Sequence, residues 1–391
     1  MHIAAARDAA GRDTASTIGG VLEGRSVQPL FQPIVDLETR AVVGVEALAR
    51  GPAGSALEFP DRLFAAARDS GRLGELDMLC SERALECAVA TAHPPPLLFV
   101  NAEPAALNQP LSPRLVDLIQ AGLPFREVLE FTERALPAVP GSMMRIAAQA
   151  QAWGNGLALD DVGVDPMSLA LLPVLEPEVI KLDMSLIRDP CTASTRGVCA
   201  VVRAEARRTG AMVVAEGIET EDELAVAREL GAVWGQGWLF GRPIALDQID
   251  PASYDTSAPH SLRAARPGFH RPAGTPYEAV AASAPATAAT PDSVALALAR
   301  LHDTAIGLET AIVVAALPAS TDAATSRSLQ DLAGLARSVI LLDHPVGEEL
   351  TAIVLGPGEG YALSTRADHL ATTEHLPTVA EVTRMLLNRL P

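Results

Sequence analysis

The chain has 391 residues, of which 49% are hydrophobic and 20% are charged, a composition typical of a globular protein. This length suits one large domain with a smaller companion. The formal net charge of −18 disfavours binding to long nucleic acid or to an anionic membrane, and no apolar run is long enough to span a bilayer.

Residues 1–26 are predicted to form a loose arm followed by a short helix. Charged side chains interrupt the N-terminal stretch, which therefore lacks the apolar core of a signal peptide, and we expect a cytoplasmic protein. The first two strands, Pro29–Val35 and Ala41–Leu48, are separated only by residues 36–40. Because this connection is too short for a crossover helix, the two strands are expected to form an antiparallel hairpin.

Helices and strands then alternate, beginning with a helical segment at Phe59–Ala92 that glycines divide in two. The next predicted strands are Leu97–Asn101, Val128–Thr132, Gly156–Leu159, Glu178–Leu182, Ala211–Ala215 and Val233–Leu239. Helices are predicted between them at Pro113–Ala121, Ser142–Trp153, Met167–Leu175, Thr195–Thr209 and Glu221–Leu230. This pattern predicts an α/β fold, a (β/α)₈ TIM-like barrel with an antiparallel first strand, over residues 27–250. A doubly wound open sheet is the structural alternative.

The composition changes after the barrel. Residues 251–290 are rich in Pro, Ala, Ser and Thr and are predicted to be a flexible linker. Residues 291–391 are predicted to form a smaller α/β domain. Its predicted helices are Ser293–Leu301, Ser326–Ala336 and Thr378–Leu390, and its predicted strands are Thr310–Leu317, Val339–Asp343, Thr351–Gly356 and Tyr361–Ser364.

Ligand-type side chains recur at or near the carboxyl ends of seven successive strands. They are Glu46, Asn101, Glu130 with Glu133, Asp160 with Asp161, Lys181 with Asp183, Glu216 with Glu219, and Gln236. In a barrel these strand ends converge on the face where active sites lie. Any one of these residues alone is more simply a helix cap or a solvated loop residue, but the repeated placement favours a site.

The residue types indicate the chemistry of this site. Carboxylates with an amide carbonyl, and without Cys or His, favour magnesium or manganese over zinc. Several carboxylates can hold two such ions, the arrangement that promotes displacement at phosphorus. A glycosidase is an alternative, but it needs only two carboxylates and has no place for Lys181 or Asn101.

These motifs resemble the EAL-domain phosphodiesterases of cyclic di-GMP. The likeness begins at QPIVDLETRAVVGVEALAR and continues through FVNAEP, LEFTE, LDD, VIKLD, VVAEGIET and GQGWLFGRP, covering roughly residues 28–245. Such an ordered series of motifs is far more specific than a single short motif. The resemblance implies a barrel with an antiparallel first strand and hydrolysis of cyclic di-GMP to linear pGpG.

The resemblance also implies individual roles. Metal ligands are Glu46, Asn101, Glu130, Asp160 and Asp161, which would hold two Mg²⁺ or Mn²⁺ ions. Glu216 matches the general base and Lys181 the residue that orients water near the scissile phosphate. Dinucleotide-binding positions are Gln32, Leu48, Arg50, Asp183, Glu219 and Gln236, and Glu133 matches a glutamate that braces a loop.

Residues 162–168 depart from the family pattern, because they lack its phenylalanine and second glycine and contain an additional proline. A receptor that binds cyclic di-GMP without hydrolysis is therefore the alternative function, and a barrel scaffold without ligand or metal is a third. The family implies a homodimer. The C-terminal domain weakly resembles DICT sensory domains through TAIVLGP and its order of elements, which implies a protein or small-molecule signal there.

Overall fold

The structure is a computed structural model that describes residues 17–132, 135–165, 167–308, 310–318, 320–321, 323–334, 336, 338–342 and 349–390. The arm expected before residue 17 lies outside these ranges, whereas the expected short helix is present as α1 (Ile18–Glu23). Within the described ranges, no helix combines the length and the hydropathy needed to cross a bilayer.

The larger part of the chain is a closed barrel whose eight strands follow sequence order. The strands are β1 (Gln28–Asp36), β2 (Val42–Arg50), β3 (Leu97–Asn101), β4 (Arg126–Phe131), β5 (Gly156–Val162), β6 (Val179–Leu182), β7 (Met212–Ala215) and β8 (Trp234–Gln236). Strand β1 is antiparallel to both β2 and β8, and the other neighbouring pairs are parallel. The predicted barrel with an antiparallel first strand is confirmed, and the open sheet is excluded.

The tight β1–β2 connection accounts for the antiparallel start. Asp36 Oδ1 accepts hydrogen bonds from the backbone N–H groups of Glu38 at 3.0 Å and Thr39 at 2.8 Å, which closes the turn. Arg40 has a φ of 64°, in the left-handed region. The resulting register places Gln32 opposite Glu46, so both side chains are carried to the same region of the barrel.

Helices cover the outside of the barrel, as the alternating pattern predicts. They are α2 (Pro60–Asp69), α3 (Leu73–Ala90), α4 (Pro104–Leu107), α5 (Pro113–Gln120), α6 (Ala135–Ala138), α7 (Pro140–Ala152), α8 (Met167–Leu175), α9 (Met184–Arg188), α10 (Ala193–Thr209) and α11 (Glu221–Leu230). The one-turn helices α4, α6 and α9 were not predicted. Each follows the carboxyl end of a strand and is too short to show a clear apolar periodicity.

Residues 251–290 are ordered, which differs from the flexible linker expected from composition. They include α12 (Ala258–Ser261) and α13 (Pro276–Ser283). Ala258 and Leu262 are buried in the apolar cluster that fills the barrel interior, beside residues of several strands. Apart from its alanines the segment has few apolar side chains, of which Leu262 inserts into the barrel, and composition alone does not detect such an isolated anchor.

Replacing Leu262 with alanine is expected to lower the free energy of unfolding by about 2–4 kcal/mol, because the truncation leaves a cavity in the barrel core. Leu296→Ala is the matched control, since Leu296 is 74% exposed and its loss should change stability by about 0.5 kcal/mol or less. Urea unfolding of both variants measures the effect. If Leu262→Ala were as stable as Leu296→Ala, the segment would not contribute to the barrel core.

A polar network lies at the amino end of the barrel. Asn155 Nδ2 donates to Glu127 Oε2 at 2.6 Å, and Gln151 Nε2 donates to Glu178 Oε2 at 3.1 Å. Burial raises the pKa of Glu127 to about 7, and the hydrogen bond from Asn155 only partly offsets this. Glu127 is therefore protonated in the folded protein at a pH where it would be ionised in the unfolded chain.

This shift gives a stability dependence on pH. Between about pH 4.5 and 7 the folded state binds a proton that the unfolded chain does not. The contribution of Glu127 to the free energy of unfolding is therefore complete below that range and is lost as pH rises through it. Between about pH 5 and 8, we expect the free energy of unfolding of the wild type to fall by roughly 2–3 kcal/mol more than that of Glu127→Gln. Urea unfolding across this range measures it, with exposed Glu359→Gln as control. A variant that retained the wild-type slope would contradict the assignment.

The C-terminal domain contains a sheet of order β11-β10-β12-β13-β14-β9. Its strands are β9 (Thr287–Ala288), β10 (Ile312–Ala316), β11 (Ser338–Leu342), β12 (Thr351–Gly356), β13 (Glu359–Arg366) and β14 (His369–Thr373), and its helices are α14 (Pro291–Gly307), α15 (Ala323–Asp331) and α16 (Leu376–Leu387). The predicted small α/β domain is confirmed. Strands β9 and β14 were not predicted.

The C-terminal domain packs on the barrel through α16. Val379 and Leu386 of α16 belong to the same apolar cluster as Leu172 of α8. Polar contacts add to this interface at the carboxyl end of α8, where helix carbonyls lack partners within the helix. Arg384 Nη1 donates to the carbonyls of Pro173 at 3.1 Å and Val174 at 3.2 Å.

Candidate active site

Lys181 is the centre of a cluster of acidic side chains at the carboxyl end of the barrel. The side chain is fully buried and is the only lysine in a chain with 30 lysine and arginine residues. Its Nζ lies 2.8 Å from Glu216 Oε1, 3.0 Å from Glu130 Oε1, 3.2 Å from Asp160 Oδ1 and 3.5 Å from Glu46 Oε2. Side chains from five predicted strand ends are thus brought together around one ammonium group.

Amide side chains hold Glu46 in place. Asn101 Nδ2 donates to Glu46 Oε1 at 3.0 Å, and Gln236 Nε2 donates to Glu46 Oε2 at 2.8 Å. Gln236 Nε2 also donates to Gln32 Oε1 at 3.2 Å, and Gln32 Nε2 donates to the Gly241 carbonyl at 3.0 Å. The amides therefore fix the orientation of a buried carboxylate.

A second group of carboxylates adjoins this cluster. Oxygen atoms of Asp160, Asp161 and Glu216 all lie within 4.8 Å of one another. Asp161 has a φ of 56°, which is uncommon for a residue other than glycine, and its backbone N–H donates to Asp160 Oδ1 at 2.9 Å. The strained conformation at the end of β5 therefore turns two successive carboxylates toward the same region.

The electrostatics of the cluster follow from burial and mutual charge. Burial, with the neighbouring charge of Asp160, raises the pKa of Glu216 to about 8. Burial also raises the pKa of Glu130 well above its usual value. Burial alone would lower the pKa of Lys181, but the surrounding carboxylates outweigh it and hold that pKa well above its usual value. The lysine therefore stays charged.

The donor set fits a divalent cation. Both oxygens of Glu130 are buried, and the contact of Oε1 with Lys181 Nζ at 3.0 Å is their only polar contact among the described residues. The available ligand atoms are carboxylate and amide oxygens, which suit Mg²⁺ or Mn²⁺. One lysine cannot neutralise Glu46, Glu130, Asp160 and Glu216 together, so the cluster favours additional positive charge.

Other predicted site residues lie outside the cluster around Lys181. Asp183 caps α9, where its Oδ1 accepts a hydrogen bond from the Ser185 N–H at 2.9 Å. Glu219 is half-exposed, with Oε1 3.9 Å from Arg188 Nη2. Arg50 Nη1 donates to the Ala49 carbonyl at 2.8 Å. Glu133 lies outside the described residues.

Leu48 and Asn101 line a cavity of about 220 Å³ beside the cluster. Asp77 of α3 also lines it, and sequence reasoning did not predict a role for this residue. Burial raises the pKa of Asp77 well above its usual value, although its Oδ2 accepts a hydrogen bond from the Glu103 N–H at 3.3 Å. The sequence feature that could have identified Asp77 is an acidic residue between leucines on a largely apolar face of the helix.

The loop that departs from the family pattern joins β5 to α8. Val164 is 59% exposed, and the Ser168 hydroxyl donates to the Asp165 carbonyl at 2.7 Å. Gly163 has a φ of 112°, where a larger residue would be strained, and a Cβ atom there would lie 2.6 Å from a carbon of Leu186. The retained glycine is therefore required by both conformation and space, while Pro166 lies outside the described residues.

Comparisons with known proteins agree with the motif pattern. A family model described as the EAL domain matches residues 17–243. The chain is 31% identical over 230 residues to the probable cyclic di-GMP phosphodiesterase PdeB of Escherichia coli, covering 57% of this chain and 44% of that protein. It is 33% identical over 233 residues to the cyclic di-GMP phosphodiesterase NbdA of Pseudomonas aeruginosa, covering 56% of this chain and 29% of that protein. The chain thus spans less than half the length of these curated relatives.

Solved structures support the fold. The FimX EAL domain from Pseudomonas aeruginosa, bound to c-di-GMP, matches 61% of this chain and 99% of its own length, with a TM-score of 0.53 and 21% identity. The PaMucR phosphodiesterase in a c-di-GMP complex matches 58% of this chain and 96% of its own, with a TM-score of 0.50 and 24% identity. At these identities the matches establish a common barrel architecture.

Proposed function

Because the chain belongs to the EAL domain family, we propose that its barrel hydrolyses one phosphodiester bond of cyclic di-GMP to give linear pGpG. The observation that carries this proposal is the group of carboxylates around Lys181 at the carboxyl end of the barrel. Relatives at 31% and 33% identity are named as phosphodiesterases of this nucleotide, which supports the substrate assignment.

Divalent cations are part of the proposal. Glu46, Asn101, Glu130, Asp160 and Asp161 would hold Mg²⁺ or Mn²⁺, with two ions expected from the number of carboxylates. Such ions offset the charge of the transferring phosphoryl group and make water more acidic. The mutual proximity of Asp160, Asp161 and Glu216 adds Glu216 to the residues within reach of an ion.

The chain's own residues supply the remaining functions. Glu216 would accept the proton of the attacking water, and Lys181 would orient that water and offset the charge of the phosphate. Gln236 donates a hydrogen bond to Glu46 and another to Gln32, and both glutamines would also face the nucleotide. The other proposed substrate contacts are Leu48, Arg50, Asp183 and Glu219, while Glu133 would brace the neighbouring loop.

The test is an assay of the full chain with cyclic di-GMP and either MgCl₂ or MnCl₂, with the products separated by chromatography. Linear pGpG is expected with either metal, and a chelator should abolish its formation because the buried acids then lack their cations. Unchanged nucleotide in both metals would overturn the enzymatic proposal.

A receptor that binds without turnover is the second candidate. It is favoured by the altered loop of residues 162–168, which directly follows Asp160 and Asp161. Calorimetric titration with cyclic di-GMP in the presence of metal separates the two functions. Saturable binding without pGpG would favour the receptor, whereas neither binding nor turnover would contradict both functions and leave the barrel as a scaffold.

Several wider expectations accompany this function. A cytoplasmic location, a homodimer and the absence of binding to long nucleic acid or membrane stay predictions. The resemblance of the C-terminal domain to DICT sensory domains is likewise a prediction, and its expected signal is a protein or a small molecule.

A further inference from the structure

A second charged cavity lies at the opposite end of the barrel from Lys181. It has a volume of about 700 Å³ and lies between the amino end of the barrel and α16. Its charged lining consists of Arg208, Arg263, Arg266, Arg384, Glu176 and Glu381. We call it the arginine cavity. Four guanidinium groups at one place are unexpected in a chain with a formal net charge of −18.

Three of these arginines have carboxylate partners. The ion pairs are Arg208–Glu176 at 2.8 Å, Arg208–Glu205 at 2.7 Å, Arg266–Glu176 at 2.7 Å and Arg263–Glu178 at 2.9 Å. Glu176 is thus shared between two guanidinium groups. These pairs join three guanidinium groups to three carboxylates and fix the arginines in place, so Arg384 is the cavity arginine without an ion pair among the described residues.

Arg384 differs from the other three arginines. It is only 4% exposed, and no carboxylate among the described residues lies within ion-pair distance of it. Its Nη1 is bonded only to the carbonyls of Pro173 and Val174, and its guanidinium lies 4.0 Å from the centre of the Phe269 ring. Burial lowers the pKa of Arg384 to about 10, and the charges of Glu176 and Glu381 offset this effect only in part.

Neighbouring groups balance the charge of Arg384 only in part. His270 Nε2 lies 2.7 Å from the Leu175 carbonyl, and burial lowers the pKa of this histidine to about 4, so it adds no positive charge to the cavity at pH 7. Glu381 lines the cavity but forms no ion pair with a described arginine. The arginine cavity therefore combines four guanidinium groups, one of them without an ion pair among the described residues, with space for a bound anion.

We propose that the arginine cavity binds a phosphate-bearing small molecule, which Arg208, Arg266 and Arg384 hold between the barrel and the C-terminal domain. Guanidinium groups bind phosphate and carboxylate oxygens in paired hydrogen bonds. A phosphate is favoured because it offers three or more acceptor oxygens to guanidinium groups that come from separate segments, whereas one carboxylate offers two. The volume of about 700 Å³ admits a ligand larger than inorganic phosphate.

Calorimetric titration of the full chain with pyrophosphate tests the proposal. A chelator is included so that metal ions cannot carry pyrophosphate to the acidic cluster around Lys181. We expect saturable binding of one pyrophosphate with a Kd below about 1 mM at about 0.15 M ionic strength. Arg208→Gln, at a half-exposed position, should weaken binding at least about tenfold, and so should Arg384→Gln if circular dichroism shows it to be folded.

Two further variants sharpen the result. Glu381→Gln removes a negative charge from the cavity and should tighten binding by roughly threefold to tenfold, an effect that misfolding does not produce. Arg300→Gln is the matched control, because Arg300 forms a surface ion pair with Glu374 outside the cavity, and it should bind as the wild type does. Absent binding, or binding unchanged by Arg208→Gln, would overturn the proposal. Equally tight binding of citrate would overturn the assignment to phosphate.

Discussion

Replacing Lys181 with methionine is expected to lower the free energy of unfolding by about 3–5 kcal/mol in a chelator at neutral pH, the usual effect of removing one partner of a buried ion pair. The variant leaves Glu46, Glu130, Asp160 and Glu216 without the ammonium group that lies 2.8–3.5 Å from each of them. Hydrolysis of cyclic di-GMP should fall at least about 100-fold, because the same ammonium would face the phosphate.

The pH dependence identifies the cause of this destabilisation. Without Lys181, the carboxylates should take up protons in the folded state that they do not hold when unfolded, so the stability of the variant should fall as pH rises. Urea unfolding in a chelator at about pH 5.5 and 8.5 measures the trend, and added Mg²⁺ should restore part of the loss. Lys181→Arg is the matched variant, since it keeps the charge but replaces a compact ammonium with a planar fork. A methionine variant as stable as the wild type at both pH values would refute the charge-balancing role.

Replacing Glu216 with glutamine is expected to slow hydrolysis by about 10²–10⁴-fold, the usual contribution of a general base. The substitution keeps the size of the side chain and its acceptor oxygen near Lys181, so the fold should be retained. Cyclic di-GMP should still bind, because the amide keeps the size and the acceptor oxygen of the side chain and loses its negative charge and its capacity to take the proton. Single-turnover rates with saturating nucleotide and MnCl₂ measure the chemical step separately from binding.

Glu229→Gln is the control for this experiment, because Glu229 is an exposed residue of α11 outside the barrel mouth. It should hydrolyse cyclic di-GMP at the wild-type rate. Should Glu216→Gln also match the wild type, Glu216 would not be the base, and its proximity to Asp160 and Asp161 would point to a role in holding a cation.

The convergence of these side chains was predictable from sequence to the extent that the ends of the strands were predictable. The residues around Lys181 lie at or near the carboxyl ends of their strands, and a closed barrel places the carboxyl ends of its parallel strands on one face. The short 36–40 connection likewise dictated an antiparallel start. These inferences succeeded because each depends on local spacing and on one rule of topology.

Features that depend on distant contacts were missed. Residues 251–290 have no periodicity, yet Leu262 fits into the barrel interior, and only the three-dimensional core reveals that position. Asp77 was unmarked because it lies in a helix far from any strand end, although the fold places it beside Leu48 and Asn101. Strand β14 was missed because it has only five residues, ends in two threonines just before the last helix, and shows little alternation of apolar and polar residues.

The single lysine of this chain has a practical consequence. A protein produced with ¹⁵N-lysine carries one labelled side-chain ammonium, and that ammonium lies at the centre of the acidic cluster. Because the side chain is fully buried, its protons should exchange slowly with water, so one nitrogen resonance reports on the centre of the site. Titrations with metal or nucleotide can then be followed at the cluster itself, without a substitution and without resonance assignment.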